Sequence, residues 1–228
     1  MLVRYSCIND HLKRELLLLQ GKGCVWKKCT FCDYYEDTSN DRFNINKKEI
    51  DKITGVHKVV DVINSGSIFE LDKETKKYLK DKLVEKEIEI MWCESHYIYR
   101  NRLDEIRDYF YPIKVKFRIG AETFDPKIRT SFNKGIDESV TAKDIASYFD
   151  GACLLVCTKG QTKESIINDI KLAYKYFEYF NVNVFVPNST KVELDKQLYN
   201  WFKNDVAPKL YDIEKIEVLI NNTDIGVG

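Results

Sequence analysis

At 228 residues, 44% hydrophobic and 13% aromatic, the chain can bury a sizeable core and falls in the range (roughly 200–250 residues) where α/β barrels fold as one domain. Lys+Arg and Asp+Glu both number 36, so the zero net charge excludes the electrostatic footprint of a general nucleic-acid binder. The longest purely apolar run, LLLL at 16–19, is far below the ~20 residues of a membrane span. The stretch MLVRYSCINDHLKR has no apolar h-region, so no signal peptide is expected. Seven cysteines, an odd number, do not suit a disulfide scaffold, and reduced thiols in a cytoplasm are expected.

In chain order, short β-branched runs bounded by turn residues predict strands at ELLLLQ (15–20), VVDVIN (59–64), IEIMWCE (88–94), KVKFRIGAET (114–123), ACLLVCT (152–158), NVNVFVP (181–187) and IEVLIN (216–221). Between them, KETKKYLKDKLVEK (73–86), TKESIINDIKLAYKYFEYF (162–180) and DKQLYNWFKNDVAPKL (195–210) carry apolar residues at helical spacing, and Thr162 is a natural helix cap. Strands with nearly continuous apolar character, alternating with helices, predict a parallel sheet. The expected fold is α/β: a partial TIM-like (β/α)6–7 barrel with parallel strands. With only 4 prolines and no Pro/Gly-rich linker, residues 1–228 are expected to form a single domain. An open doubly wound sheet is the structural alternative. Barrel enzymes place their sites at the C-terminal strand ends. Those ends here read GKGC, NSGS, WCESH, GAET, CTKGQT, PNST and NNTD, whereas the opposite ends carry mostly Lys, Glu and Asp.

GKGCVWKKCTFCDYY (21–35) places Cys24, Cys29 and Cys32 in the spacing C-x4-C-x2-C. Soft thiolates select zinc or iron–sulfur clusters. A structural zinc ion needs a fourth ligand, to be drawn from Cys7, Cys93, Cys153, Cys157, His11, His57 or His96, none of which forms a second close pair. Cys153 and Cys157 lie in an apolar strand, where a buried small thiol is ordinary. Plant-type [2Fe–2S] ferredoxins share the spacing but add a distant fourth cysteine, and none occurs here between Cys32 and Cys93. The third option treats the missing ligand as the purpose: three thiolates on a [4Fe–4S] cluster, with one iron open to a substrate or cofactor.

In this respect CVWKKCTFC, following the first predicted strand, resembles the C-x3-C-x-Φ-C motif of the radical SAM superfamily, with Phe31 at Φ and one extra residue between Cys24 and Cys29. NSGS (64–67) resembles the segment that meets the amino group of S-adenosylmethionine. ESH (94–96) resembles an acidic motif after the third strand, and IGAETFDPKIRTSFNKG (119–135) a G-x-E-T…R…N-K-G pattern after the fourth. LLVCTKGQTKES (154–165) and VNVFVPNST (182–190) resemble the fifth and sixth strand segments. Each match is weak alone, and together they are ordered along nearly the whole chain.

The resemblance implies that the cluster and S-adenosylmethionine are the cofactors and that a 5′-deoxyadenosyl radical attacks the substrate. Cys24, Cys29 and Cys32 are the implied ligands. Phe31, Asn64, Ser65, Gly66 and Ser67 are implied to bind the cofactor, although core packing for Phe31 and a plain turn at 64–67 compete. Glu122, a carboxylate at a strand end, is expected to take the amino group or a ribose hydroxyl. Arg129 is expected at the methionyl carboxylate, with a surface helix position as the alternative. Glu94, His96 and Arg118 are the catalytic candidates. His96 would serve as acid or base, with a satisfied structural histidine as the alternative, and Arg118, sharing a face with Glu122 by strand alternation, would need an anion such as Glu94 or a substrate phosphate. Asp33, Tyr34, Lys159, Asn221 and Asp224, with Asn222 beside them, are the substrate-binding candidates.

The chain holds no cobalamin domain, second cysteine cluster or RNA-binding module, which favours a small nucleotide substrate over a nucleic-acid partner or a membrane. GCVWKKCTFCDYY together with NSGS looks like the bacterial queuine-salvage lyases, whose members release queuine from queuosine 5′-phosphate. The resemblance also implies an external electron donor such as flavodoxin or ferredoxin. A radical SAM enzyme acting on another small nucleotide or metabolite, and a non-enzymatic metal-binding or electron-transfer barrel, are the alternatives.

Overall fold

The computed structural model describes residues 2–10, 12–221 and 223–227. Strand neighbours in the sheet follow chain order, β1 to β8. Two compact units divide the chain: Met1–Lys27, Tyr34–Phe117 and Ile225–Gly228 form the first, Lys28–Asp33 and Arg118–Asp224 the second.

In the first unit β1 (Tyr5–Ile8) runs antiparallel to β2 (Arg14–Leu19), which pairs in parallel with β3 (Val59–Asn64); β3 in turn pairs in parallel with β4 (Ile90–Glu94). Helices α1 (Arg42–Ile50), α2 (Lys73–Glu85) and α3 (Leu103–Phe110) connect them. Leu16, Leu17, Leu19, Val60, Val62 and Met91 are completely buried, as are Ile50, Leu79, Leu83 and Phe110 from the helices. Sheet residues facing either way are therefore covered, which is why β2 and β3 read as apolar runs rather than alternations. Each such aliphatic side chain contributes about 1.5–3 kcal/mol through burial. Asp72 caps α2 by accepting from the Thr75 N–H at 2.8 Å. At the N-terminal strand ends, Arg14 pairs with Asp61 (3.0 Å, both buried), and Glu15 accepts from the Thr54 and Gly55 amides, each at 2.7 Å.

In the second unit β6 (Gly151–Val156), β7 (Tyr179–Val184) and β8 (Ile216–Leu219) are successive parallel neighbours, and the later half of β5 (Lys114–Glu122) pairs in parallel with β6. Every residue of β6 is buried. The unit also holds helices α4 (Pro126–Ser131), α5 (Ala142–Ala146), α6 (Lys163–Tyr176) and α7 (Lys196–Trp201), of which α6 packs on β6 and β7. Thr162 caps α6 through a capping box with Ser165.

All seven expected strands form, most with ends shifted by one to three residues, while β1, which was not anticipated, adds an antiparallel edge. The 162–180 pattern stops being helical at Tyr176 because Tyr179 and Phe180, apolar at helical spacing, instead join the ladder opposite Gly151 and Ala152. The 195–210 pattern is not one helix. After α7 the backbone widens to a π turn at 202–206 and then tightens to a 3-10 turn around Pro208, whose ring lacks the N–H an α-helix would need there.

Candidate active site

Residues expected at the site fall in both units. In the first, the loop after β2 carries Cys24 and the loop after β3 carries Asn64–Ser67. Gly21 N–H donates to Ser65 Oγ (3.0 Å), and Asn64 Nδ2 donates to the Ser67 carbonyl (3.0 Å). The organising group is Glu70, buried just after the NSGS turn. Its Oε2 accepts from the Ser67 N–H at 2.5 Å; its Oε1 accepts from the Val25 N–H at 3.0 Å and from the Tyr99 hydroxyl at 3.1 Å. One carboxylate thus ties the residue after Cys24 to the turn after β3. Burial pushes the Glu70 carboxyl above its ordinary pKa despite these donors. Gly66 is required by contact: a Cβ there would be driven into Glu70 Oε2 and would lie 3.0 Å from Cys24 Cα.

His96 follows β4 and is held from several sides. Its N–H donates to Ser67 Oγ (2.9 Å), its Nδ1 accepts from the Ile98 N–H (3.2 Å), and its ring stacks on Trp26 at 5.4 Å. Acceptance at Nδ1 places the proton of the neutral ring on Nε2.

In the second unit Cys29, Phe31 and Cys32 lie on one short segment tied down at several points. Thr30 N–H donates to the Phe132 carbonyl (3.1 Å), Asn133 Nδ2 to the Lys28 carbonyl (2.9 Å) and Asn188 Nδ2 to the Phe31 carbonyl (2.7 Å). Asp33 Oδ2 accepts from the Ser189 N–H and hydroxyl at 3.0 and 2.9 Å. Phe31 packs into a cluster with Phe132, Leu155 and Phe185, and Cys29 and Cys32 rest against it.

Glu122 ends β5 with φ +64°, just past a register shift between Gly120 and Glu122. The left-handed conformation is costly for a non-glycine residue and marks a site that the surroundings over-determine. Part of that determination comes from α6, whose buried Asp169 accepts from Thr123 Oγ1 (2.7 Å) and the Phe124 N–H (2.8 Å). Burial pushes the Asp169 carboxyl up to about 6. Glu122 Oε1 accepts from Lys134 Nζ at 2.8 Å, and both side chains are nearly buried. Two residues of β5 oppose one of β6 at this point, yet a Cβ on Gly120, two residues after Arg118, would still meet Glu122 Oε1 at 2.5 Å.

No protein-family model and no curated protein matches the chain. Among solved structures, the queuine lyase from Clostridium spiroforme bound to SAM and queuine superposes with a TM-score of 0.94 at 38% sequence identity, covering 100% of both chains. This chain belongs to the queuine lyase family of radical SAM enzymes. Streptococcus suis SuiB, with a TM-score of 0.54 at 13% identity over 88% of this chain and 48% of that one, shares the fold. Membership makes the chain a radical SAM enzyme with a partial TIM-like α/β fold, whose cofactors are a [4Fe–4S] cluster and S-adenosylmethionine.

The residues present fit those cofactors. The three thiols are reduced, and no disulfide forms among the described residues. A cluster takes each thiolate on a different iron. Asn64 Oδ1 is buried with no hydrogen-bond partner, an acceptor awaiting a donor at the NSGS turn.

Other expected residues have visible local duties. Arg129, on α4, donates through Nη2 to the carbonyls of Asp137 and Val140, each at 2.8 Å. Lys159 pairs with Glu193 at 2.5 Å in a largely exposed bridge. Asp224 accepts from the Ile220 and Asn221 amides at 2.8 Å, closing the turn after β8. Tyr34 is exposed, Glu94 partly buried at the end of β4, and Arg118 buried opposite Gly151. His11 and Asn222 lie outside the described residues. Glu70, Trp26, Asp169 and Lys134 were missed by sequence reading. Only Lys134 had a signal, as the lysine of the NKG segment already noted; the others look like ordinary polar or aromatic residues until the fold buries them. No helix among the described residues is long and apolar enough to cross a membrane.

Proposed function

We propose that this chain releases queuine from queuosine 5′-phosphate, acting as one core domain over residues 1–228 in the cytoplasm, with reducing equivalents from a flavodoxin or ferredoxin. The observation that carries the reading is the full-length correspondence, at 38% identity, with a queuine lyase bound to SAM and queuine. The bound cofactors supply a 5′-deoxyadenosyl radical.

Cys24, Cys29 and Cys32 hold the cluster. Ser65, Gly66 and Ser67 present backbone groups to the methionyl moiety, Asn64 Oδ1 accepts from its amino group, and Phe31 packs beside the cofactor. Glu122, anchored through Oε1, offers Oε2 to the amino group or a ribose hydroxyl. Arg129 meets the carboxylate. Arg118 and Lys159 neutralise the substrate phosphate, and Asp33, Tyr34, Glu94, Asn221 and Asp224 hydrogen-bond the amine- and hydroxyl-bearing base. Such a site rejects analogues lacking those groups because its own polar atoms would be left unpaired. His96 gives or takes a proton at Nε2, with Trp26 and Ser67 fixing its plane.

Reconstituted, reduced protein incubated with S-adenosylmethionine and either queuosine 5′-phosphate or guanosine 5′-phosphate tests this. Queuine and 5′-deoxyadenosine formed from the first nucleotide alone are expected. Cofactor cleavage unaffected by either nucleotide would overturn the substrate while leaving the radical class intact.

A further inference from the structure

Lys134 is a lysine 9% exposed, and lysine is almost never buried without a reason. An ion pair taken out of water is weak evidence of stability, because apolar replacements often do as well. Yet the second unit bends its backbone around this pair. Glu122 sits at φ +64° and Asn133, next to Lys134, at φ +51°. Gly120 leaves the necessary gap, since a Cβ there would stand 2.5 Å from Glu122 Oε1 and 3.0 Å from Lys134 Nζ. Strain of this kind gathers where a structure holds a group for use.

The position of the charge indicates the use. Lys134 Nζ lies 5.5 Å from the centroid of the Phe31 ring, and Phe31 stands between Cys29 and Cys32 in sequence and belongs to the apolar cluster that both pack against. The Lys134 ammonium donates to the Glu122 carboxylate at 2.8 Å, so the charge sits in an ion pair beside that segment.

We propose that Lys134 is a positioning residue for the iron–sulfur cluster, its charge raising the cluster's reduction potential while Glu122 limits how much of that charge the cluster feels. The proposal rests on the radical SAM reading of Cys29 and Cys32. One-electron reduction adds negative charge to the cluster, and a cation fixed nearby favours that state; net charge and burial are among the levers that set such potentials. The same ammonium fixes the Glu122 carboxylate in the orientation offered to the cofactor.

The test is a potentiometric titration of the reconstituted full chain without S-adenosylmethionine, using dithionite as the electron source and the spin signal of the reduced cluster as readout. Lys134→Met, with iron content matched to wild type, is expected to hold about tenfold less reduced cluster at a fixed potential, a downward shift of about 59 mV for a one-electron couple. Glu122→Gln removes the opposing charge and is expected to shift the midpoint upward, and Lys134→Arg to restore most of the wild-type value. An unchanged midpoint in Lys134→Met, or shifts of the same sign in the two single variants, would overturn the proposal and leave the pair a fold element. Should Lys134→Met fail to retain iron, Glu122→Gln decides alone: an upward shift supports the proposal, and an unchanged or lower midpoint ends it. A wild-type chain that assembles no cluster would overturn the radical reading itself, a result distinguishable from either.

Discussion

Glu70 and Glu122 are two buried carboxylates handled in opposite ways. Glu70, in the first unit, is held by uncharged donors: the amides of Val25 and Ser67 and the Tyr99 hydroxyl. Glu122, in the second, is held by the Lys134 ammonium. Neutral donors fix geometry without supplying charge, so Glu70 acts as a clamp that sets the backbone around Cys24 and the NSGS turn. A cation supplies both, so Lys134–Glu122 orients a carboxylate and places a field beside Cys29 and Cys32. Two loops that look alike in sequence, each a polar turn after an apolar strand, therefore have different physical tasks.

Variants should separate the two. The largest effect is expected from Cys29→Ala, which should abolish both cluster absorbance near the visible charge-transfer bands and cofactor cleavage; normal iron content in that variant would remove Cys29 from the ligand set. Gly66→Ala should come next. Its methyl meets the Glu70 carboxylate and Cys24 Cα, and overpacking of this kind costs about 1–3 kcal/mol, so a lower thermal midpoint and weaker cluster retention are expected. Glu122→Ala strips the nearly buried Lys134 ammonium of its partner and should also lower the thermal midpoint. That change should in addition weaken S-adenosylmethionine binding by about 1–3 kcal/mol, the range for a charge-assisted hydrogen bond, as read by equilibrium binding; unchanged affinity would place Glu122 outside the cofactor contacts.

Asp169 offers a pH test of how the Glu122 turn is held. Its folded pKa of about 6 is raised above the ordinary aspartate value of 3.8, so the folded chain binds this proton more tightly than the unfolded one. The stabilisation is fully present below the ordinary value and is lost as pH rises through about 6. Asp169→Asn should remove that dependence: relative to wild type, its denaturant midpoint should improve between pH 5 and pH 7 by an amount worth on the order of 1 kcal/mol. Parallel pH profiles would show that Asp169 titrates elsewhere. The smallest effect belongs to Lys159→Ala. The Lys159–Glu193 bridge is exposed on both sides, so stability should change by about 0–1 kcal/mol, leaving any loss of turnover attributable to substrate binding.

Much of the molecule was legible from residue order. Apolar runs such as ELLLLQ and ACLLVCT marked the strands because residues buried on both faces leave a continuous signal. The three thiols, the NSGS turn and the acid at Glu122 were visible because cysteine spacing and strand-end chemistry are local properties. Glu70 and Asp169 were not visible: a lone acid in a helix or turn reads as a solvated surface group, and only burial turns it into a clamp.

Local pattern therefore carried the α/β alternation and pointed to the family that the structural comparison shows. Tertiary structure decided where the backbone breaks its own rules. Alternation along β5 sets Arg118, Gly120 and Glu122 in step, but only the fold adds the register shift, the positive φ at Glu122 and the Lys134 ammonium, twelve residues on, that holds its carboxylate. The physical reason is that strand periodicity is a short-range preference of one chain segment, whereas a bulge is fixed by what the neighbouring strand, the buried Asp169 and a distant ammonium will accept together.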